Sequence, residues 1–216
     1  MSSFQLILFD CDGVIVDSEP ITNRIFADMV RPYGIELDQA RMFAEFSGKP
    51  LVDNMRDIER QYGITLPADF ADRFRAQSRQ ILATDVKPVP GIEALLDSLT
   101  LPYAVASSGR FDKMRTTLGA TGLLPRFTDR LFSAEQVARP KPAPAVYLHA
   151  AAHMGVAPAH CLVIEDSPSG VQAGVAAGMT VYGHACHLPA QRLLDAGATR
   201  TFANMTQLQQ HLKKIL

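Results

Sequence analysis

Long apolar runs are missing from these 216 residues. No stretch reaches the roughly 20 residues that a membrane-spanning helix requires, which points to a soluble protein. The first apolar segment, Phe4 to Phe9, is short, lacks a basic flank and runs straight into acids, so it does not have the pattern of a secretory signal. Charge of one sign is also in short supply. The 21 Lys and Arg against 22 Asp and Glu give a formal net charge of −1, with no basic face for a nucleic-acid backbone. Cysteine is scarce: Cys11, Cys161 and Cys186 are odd in number, far apart and without CxxC spacing. That argues against a disulfide framework or a zinc knuckle and fits a reducing cytoplasm.

Several catalytic signatures are absent as well. No GxGxxG follows the first apolar run, which removes a dinucleotide site of that type, and no GxSxG elbow surrounds Ser107. His149 and His153 stand four apart, as a zinc pair on a helix would, but without an HExxH pattern or a third ligand they read as surface or core-edge histidines. The stretch from Asp10 to Gly13 is not an EF-hand loop, because Val14 and Ile21 fall where that loop needs oxygen ligands.

What is present is an ordinary globular composition, 47% hydrophobic and 20% charged. Four short apolar runs read as buried strands: Phe4 to Phe9, Tyr103 to Ala106, Cys161 to Ile164 and Thr180 to Tyr182. Helical patterns lie between them, at Ile92, Leu95, Leu96 and Leu99, at Met114, Leu118 and Leu123, and from Val171 to Ala177. This alternation predicts an α/β protein with a Rossmann-like parallel sheet and helices on both faces. From Ser18 to about Asp85 the alternation stops. Only helical repeats occur there (Ile21, Ile25, Met29; Leu51, Met55, Ile58, Tyr62; Phe70, Phe74, Ile81), with Ser18 as a cap, Pro20 in the opening turn, and Pro32, Gly34 and Gly63 as stops. We expect residues 1–16 and 87–216 to form the α/β catalytic core and residues 17–86 a small all-helical cap, with Pro88 to Gly91 leading back into the core.

Polar residues collect where the expected strands end. The first strand stops on Asp10 and Asp12, Ser107, Ser108 and Gly109 follow "YAVA", Glu165 and Asp166 follow "CLVI", and Lys141 stands in "RPKPAP". Each alone has an ordinary reading: an Asp-Gly turn, a helix cap, a solvated lysine. Together they sit at the carboxyl ends of parallel strands, where open α/β sheets bind ligands. Two carboxylates at the end of a buried strand also need a cation, a proton or water beside them, because an unpaired buried carboxylate costs several kcal/mol or becomes neutral.

The DxDG of Asp10 to Gly13, Ser107, the "KPAP" beginning at Lys141 and the "EDSPSGVQAGVAAGM" from Glu165 resemble, in order, the four signatures of the haloacid dehalogenase superfamily of phosphohydrolases. The resemblance covers essentially the whole chain, with the sugar-phosphatase and β-phosphoglucomutase-like branch nearest in appearance. It implies that Asp10 attacks phosphorus to form an aspartyl-phosphate, while Asp12 gives a proton to the leaving alcohol and later takes one from water. Mg²⁺ is the implied cofactor, with Asp10 and Asp166 as side-chain ligands, the Asp12 carbonyl beside them and Glu165 in support. Lys141, the Ser107 hydroxyl and backbone N–H groups including those of Ser108 and Cys11 would hold the phosphoryl oxygens.

Asp12 also implies phosphate esters, because dehalogenases and phosphonatases of the superfamily do not keep an acid there. Thr22 and Leu51 stand where the mutase's sugar-binding His and Arg would align, which favours hydrolysis over mutase-type phosphoryl transfer. A non-catalytic phospho-ligand-binding relative is the third reading. Among substrate contacts, a Ser47-Gly48-Lys49 turn could lower Lys49 to the substrate, and Arg110 could meet a carboxylate or second phosphate; a solvated lysine and an ordinary salt bridge are equally plausible. The partner expected is a small phosphorylated metabolite such as a sugar or sugar-acid phosphate, phosphogluconate among them, bound to a monomer or small homo-oligomer.

Overall fold

The computed structural model describes residues 4–46 and 49–216, so the Ser47-Gly48 part of the expected turn lies outside the described residues. In chain order the elements are β1 (Leu6–Phe9), β2 (Val16–Asp17), α1 (Glu19–Val30), α2 (Gln39–Glu45), α3 (Leu51–Tyr62), α4 (Phe70–Asp85), β3 (Lys87–Pro88), α5 (Ile92–Ser98), β4 (Tyr103–Ser107), α6 (Phe111–Ala120), β5 (Leu131–Ser133), α7 (Ala145–His153), β6 (Cys161–Glu165), α8 (Pro168–Ala176), β7 (Thr180–His184), α9 (Ala190–Asp195), β8 (Arg200–Phe202) and α10 (Met205–Ile215). No helix of the described residues is long and apolar enough to cross a membrane.

Six strands form one sheet in the order β5-β4-β1-β6-β7-β8, and every neighbouring pair is parallel. All four side chains of β1 are fully buried because helices cover both faces: Ile7 and Phe9 enter one apolar cluster, Leu6 and Leu8 the other. A strand buried on two sides needs an unbroken apolar run rather than an alternating one, which is why "LILF" reads as it does. From β1 the chain first builds outward to β4 and β5, then returns to build β6, β7 and β8 on the other side. The carboxyl end of β1 is therefore where the strand order reverses, the place at which an open α/β sheet leaves a crevice.

The α/β parallel sheet expected from the sequence is the one observed. Two of its strands, β5 and β8, carry no strong sequence signal: each has three residues, sits at a sheet edge and includes a polar side chain. Short, polar edge strands of this kind discourage pairing with other chains.

Helices α1 to α4 are inserted between β2 and β3, which pair antiparallel as Val16 with Pro88 and Asp17 with Lys87. The insert has its own apolar cluster, in which Phe26 lies 5.8 Å from Phe46 and 5.9 Å from Phe70. Helix α2, unmarked in the sequence reading, is capped by Asp38, whose carboxylate accepts the Arg41 N–H at 2.7 Å. The insert meets the α/β unit on two sides. On one, α4 packs on α6 with an Arg79–Asp112 ion pair at 3.0 Å; on the other, Phe43 stacks on His187 at 4.5 Å.

Candidate active site

Asp10 follows directly on β1, and its N–H donates to the Ile164 carbonyl at 2.9 Å, carrying the β1–β6 ladder one residue past the strand. The chain then turns sharply. Both Ile15 and Val16 donate to the Cys11 carbonyl, and Gly13 takes a φ of 74°, which favours glycine. A Cβ at Gly13 would lie 1.9 Å from Asp166 Oδ2, so the acid after β6 rests directly on this glycine. His184, at the end of β7, pins the turn from below with Nδ1 2.8 Å from the Gly13 carbonyl.

Lys141 is buried beneath the loop and reaches three acceptors. Its ammonium donates to Asp10 Oδ1 at 2.6 Å, Glu165 Oε1 at 2.7 Å and the Ala106 carbonyl of β4 at 3.0 Å, and it lies 4.5 Å from the centre of the Tyr147 ring. Burial works against this charge, but Asp10 and Glu165 outweigh it and hold the ammonium well above the ordinary lysine value. Desolvation pushes Asp10 up to about 7, with Lys141 pulling down and Glu165 and Asp12 adding to the rise.

Glu165, expected in support of a metal ion, stands beside Lys141. Its Oε1 accepts from Lys141 and Tyr147, and its Oε2 from the N–H groups of Asp166 and Ser167 and the Ser167 hydroxyl. Those five donors take up the acceptor capacity of one carboxylate. Burial works against the charge, yet Lys141 and these donors hold its carboxyl below the usual range. Gly170 is compulsory for the same reason, since a Cβ there would meet Glu165 Oε1 at 1.7 Å.

Asp12 is held differently. Lys113, in the first turn of α6, donates to Oδ2 at 2.7 Å, and the Ser18 hydroxyl donates to Oδ1. Against burial, these two partners keep the Asp12 carboxyl below the usual range. Ser18 thus corrects the expectation of a helix cap: its side chain makes no cap hydrogen bond and is committed to Asp12. Ser107 is buried at the end of β4 and accepts the Gly109 N–H at 3.0 Å, in a turn whose Gly109 Cβ position lies 3.7 Å from Asp12 Oδ2. Ser108, next along, is exposed, whereas Cys11 is buried with its thiol pushed up by desolvation.

Other expected residues lie apart from these acids. Lys49 is paired with Asp57 at 2.9 Å and lines a groove of about 580 Å³ with Glu45, Arg60 and Arg192. Arg110 pairs with Asp112 at 3.4 Å and Glu135 at 3.3 Å. Thr22 gives its hydroxyl to the Ser18 and Glu19 carbonyls, and Leu51 packs against the insert's apolar cluster, so neither presents a cation. His149 and His153 flank Phe132 at 5.7 and 5.2 Å. Lys113, Tyr147 and His184 escaped the sequence reading; Tyr147 alone had a weak signal, as an aromatic residue one turn beyond "KPAP".

A divalent ion can be tested against this donor set. Desolvation raises the Asp166 carboxyl well above its usual value, and the charges that add most to the rise are Glu19, Glu165, Asp10 and Asp12, all acids. Crowded carboxylate oxygens are what a hard dication relieves. Among the described residues no three ligating side chains close into a ready-made cage. Mg²⁺ binds through one or two carboxylates and completes its shell with water and substrate phosphate, so Asp10 and Asp166 would be the side chains to hold it.

The sequence profile of haloacid dehalogenase-like hydrolases matches residues 7–184. The chain belongs to this family. Within the haloacid dehalogenase-like hydrolases it is 34% identical over 209 residues to a 6-phosphogluconate phosphatase of Escherichia coli K12, covering 96% of this chain and 94% of the relative. A crystal structure of a haloacid dehalogenase-like protein from Agrobacterium tumefaciens superposes with a TM-score of 0.92 at 33% identity, covering 98% of each chain. A haloacid dehalogenase family hydrolase of Deinococcus radiodurans, solved with bound phosphate and sodium, gives 0.86 at 28% identity, covering 100% of this chain and 97% of that one.

Proposed function

We propose that the protein is a Mg²⁺-dependent phosphatase that hydrolyses a small sugar or sugar-acid phosphate through an aspartyl-phosphate. The observation that carries this reading is the Lys141 ammonium fixed on Asp10 Oδ1 at the carboxyl end of β1, in a chain of a hydrolase family. Phosphoryl transfer asks a protein mainly for position and charge neutralisation, and both are supplied where the strand order reverses. Asp10 is the nucleophile: its carboxylate oxygen bonds to phosphorus as the ester P–O bond breaks. Asp12 passes a proton to the departing alkoxide. In the second step Asp12 takes a proton from water, the water oxygen bonds to phosphorus, and the Asp10–phosphorus bond breaks to release phosphate. Lys141 faces the phosphoryl oxygens as a fixed positive charge, and Ser107 orients them.

Asp10 and Asp166, with the Asp12 carbonyl, would hold Mg²⁺, which when bound neutralises charge on carboxylates and phosphate. Thr22 and Leu51 offer nothing to a second phosphate, which favours hydrolysis over transfer between two positions of one sugar. The named activity of the Escherichia coli relative supports a sugar-acid phosphate as the first substrate to try. Lys49 and Arg110, proposed as substrate contacts, are paired with Asp57 and with Asp112 and Glu135 in this structure.

The test is phosphate release from a panel of neutral and acidic sugar phosphates, with and without added Mg²⁺. We expect metal-dependent release, highest with one compound or a few. No release from any member, together with a thermal shift on binding one of them, would overturn hydrolysis in favour of a binding role.

A further inference from the structure

We propose that Lys113 positions Asp12 for proton transfer, an assignment that rests on the phosphatase reading above. Of the cations Lys49, Arg79, Arg110 and Lys113, the first three pair with other acids: Lys49 with Asp57, Arg79 with Asp112, and Arg110 with Asp112 and Glu135. Lys113 alone of these reaches the DxDG loop, 2.7 Å from Asp12 Oδ2.

The geometry explains how one lysine controls a carboxyl group. Ser18, at the threshold of the insert, holds one oxygen, and Lys113, from the opposite side of the loop, holds the other. Gly109 lies beside the same oxygen, its Cβ position in ordinary contact 3.7 Å from Oδ2. An ammonium N–H donates to Oδ2 whether the acid is ionised or carries its proton on the other oxygen. Oδ1 is then the atom that trades the proton: in the first step its proton moves to the alkoxide as the ester P–O bond breaks, and in the second it accepts a proton from the attacking water. A hydroxyl partner such as Ser18 can either donate or accept, so it does not block this exchange.

The test exploits leaving groups. A sugar alkoxide needs a proton as it departs, whereas p-nitrophenolate does not. kcat/KM, which reports the first step alone, is measured for the best sugar phosphate and for p-nitrophenyl phosphate in wild type, Asp12→Asn, Lys113→Met and Lys113→Arg, with circular dichroism on each. Asp12→Asn is expected to lose roughly 10²-fold or more on the sugar ester and far less on the aryl ester. Lys113→Met should show the same bias at about tenfold, and Lys113→Arg should restore most of it. Equal losses on both esters in Lys113→Met, beside a biased Asp12→Asn, would overturn the positioning role and leave the phosphatase reading intact. An unbiased Asp12→Asn would overturn the assignment of Asp12 as acid and take this inference with it.

Discussion

The charges under the DxDG loop and the charges on the helical insert are built by opposite rules. Lys141 is 3% exposed and shared among two acids and a carbonyl that arrive from β1, β4 and β6, so no contact in the group is local in sequence. Several ion pairs on the insert are exposed and local: Arg31–Asp28, Arg56–Asp53 and Arg60–Asp57 are each three residues apart. Such pairs are worth about 0–1 kcal/mol, whereas breaking a buried pair by removing one partner costs about 3–5 kcal/mol. The core commits its charges to fixing Asp10 and Glu165 in place, while the insert's charges chiefly solvate a surface and leave its shape to Phe26, Phe46 and Phe70.

This contrast can be broken most severely at Lys141. Lys141→Met leaves Asp10 and Glu165 facing each other without a cation; we expect turnover to fall at least 10²-fold and stability by about 3–5 kcal/mol, read by steady-state kinetics and urea unfolding. Gly13→Ala comes next. The new methyl would lie 1.9 Å from Asp166 Oδ2 on a backbone at φ 74°, so about 1–3 kcal/mol of strain is expected along with weaker activation by Mg²⁺. A metal titration of activity should show the shift, and an unchanged curve would separate Asp166 from the metal. The smallest effect belongs to the insert: Lys49→Ala should cost under about 1 kcal/mol and alter kcat/KM by less than about twofold. A large rise in KM there would instead bring Lys49 to the substrate and blur the comparison.

Much of the molecule was legible because its strongest determinants are local patterns. A strand covered on both faces must be uniformly apolar, so β1, β4, β6 and β7 announce themselves, and each polar residue that ends such a run stands at the sheet's carboxyl edge. The weak points were three-residue edge strands and the short α2, where too few residues define a period.

Sequence by itself determined the parallel α/β sheet, the helical run between β2 and β3, and the identities of Asp10, Asp12, Ser107, Lys141, Glu165 and Asp166 as the groups of interest. Only the tertiary structure decided how those groups divide the work: which acid Lys141 grips, that Glu165 stands beside the lysine, that Ser18 serves Asp12 rather than a helix end, and that Lys113 is the cation reaching Asp12. The reason is physical. Periodicity and turn chemistry are written in neighbouring residues, but a hydrogen bond between Lys141 and Asp10 joins positions 131 apart, and its partner is chosen by which strand ends the sheet brings within about 3 Å.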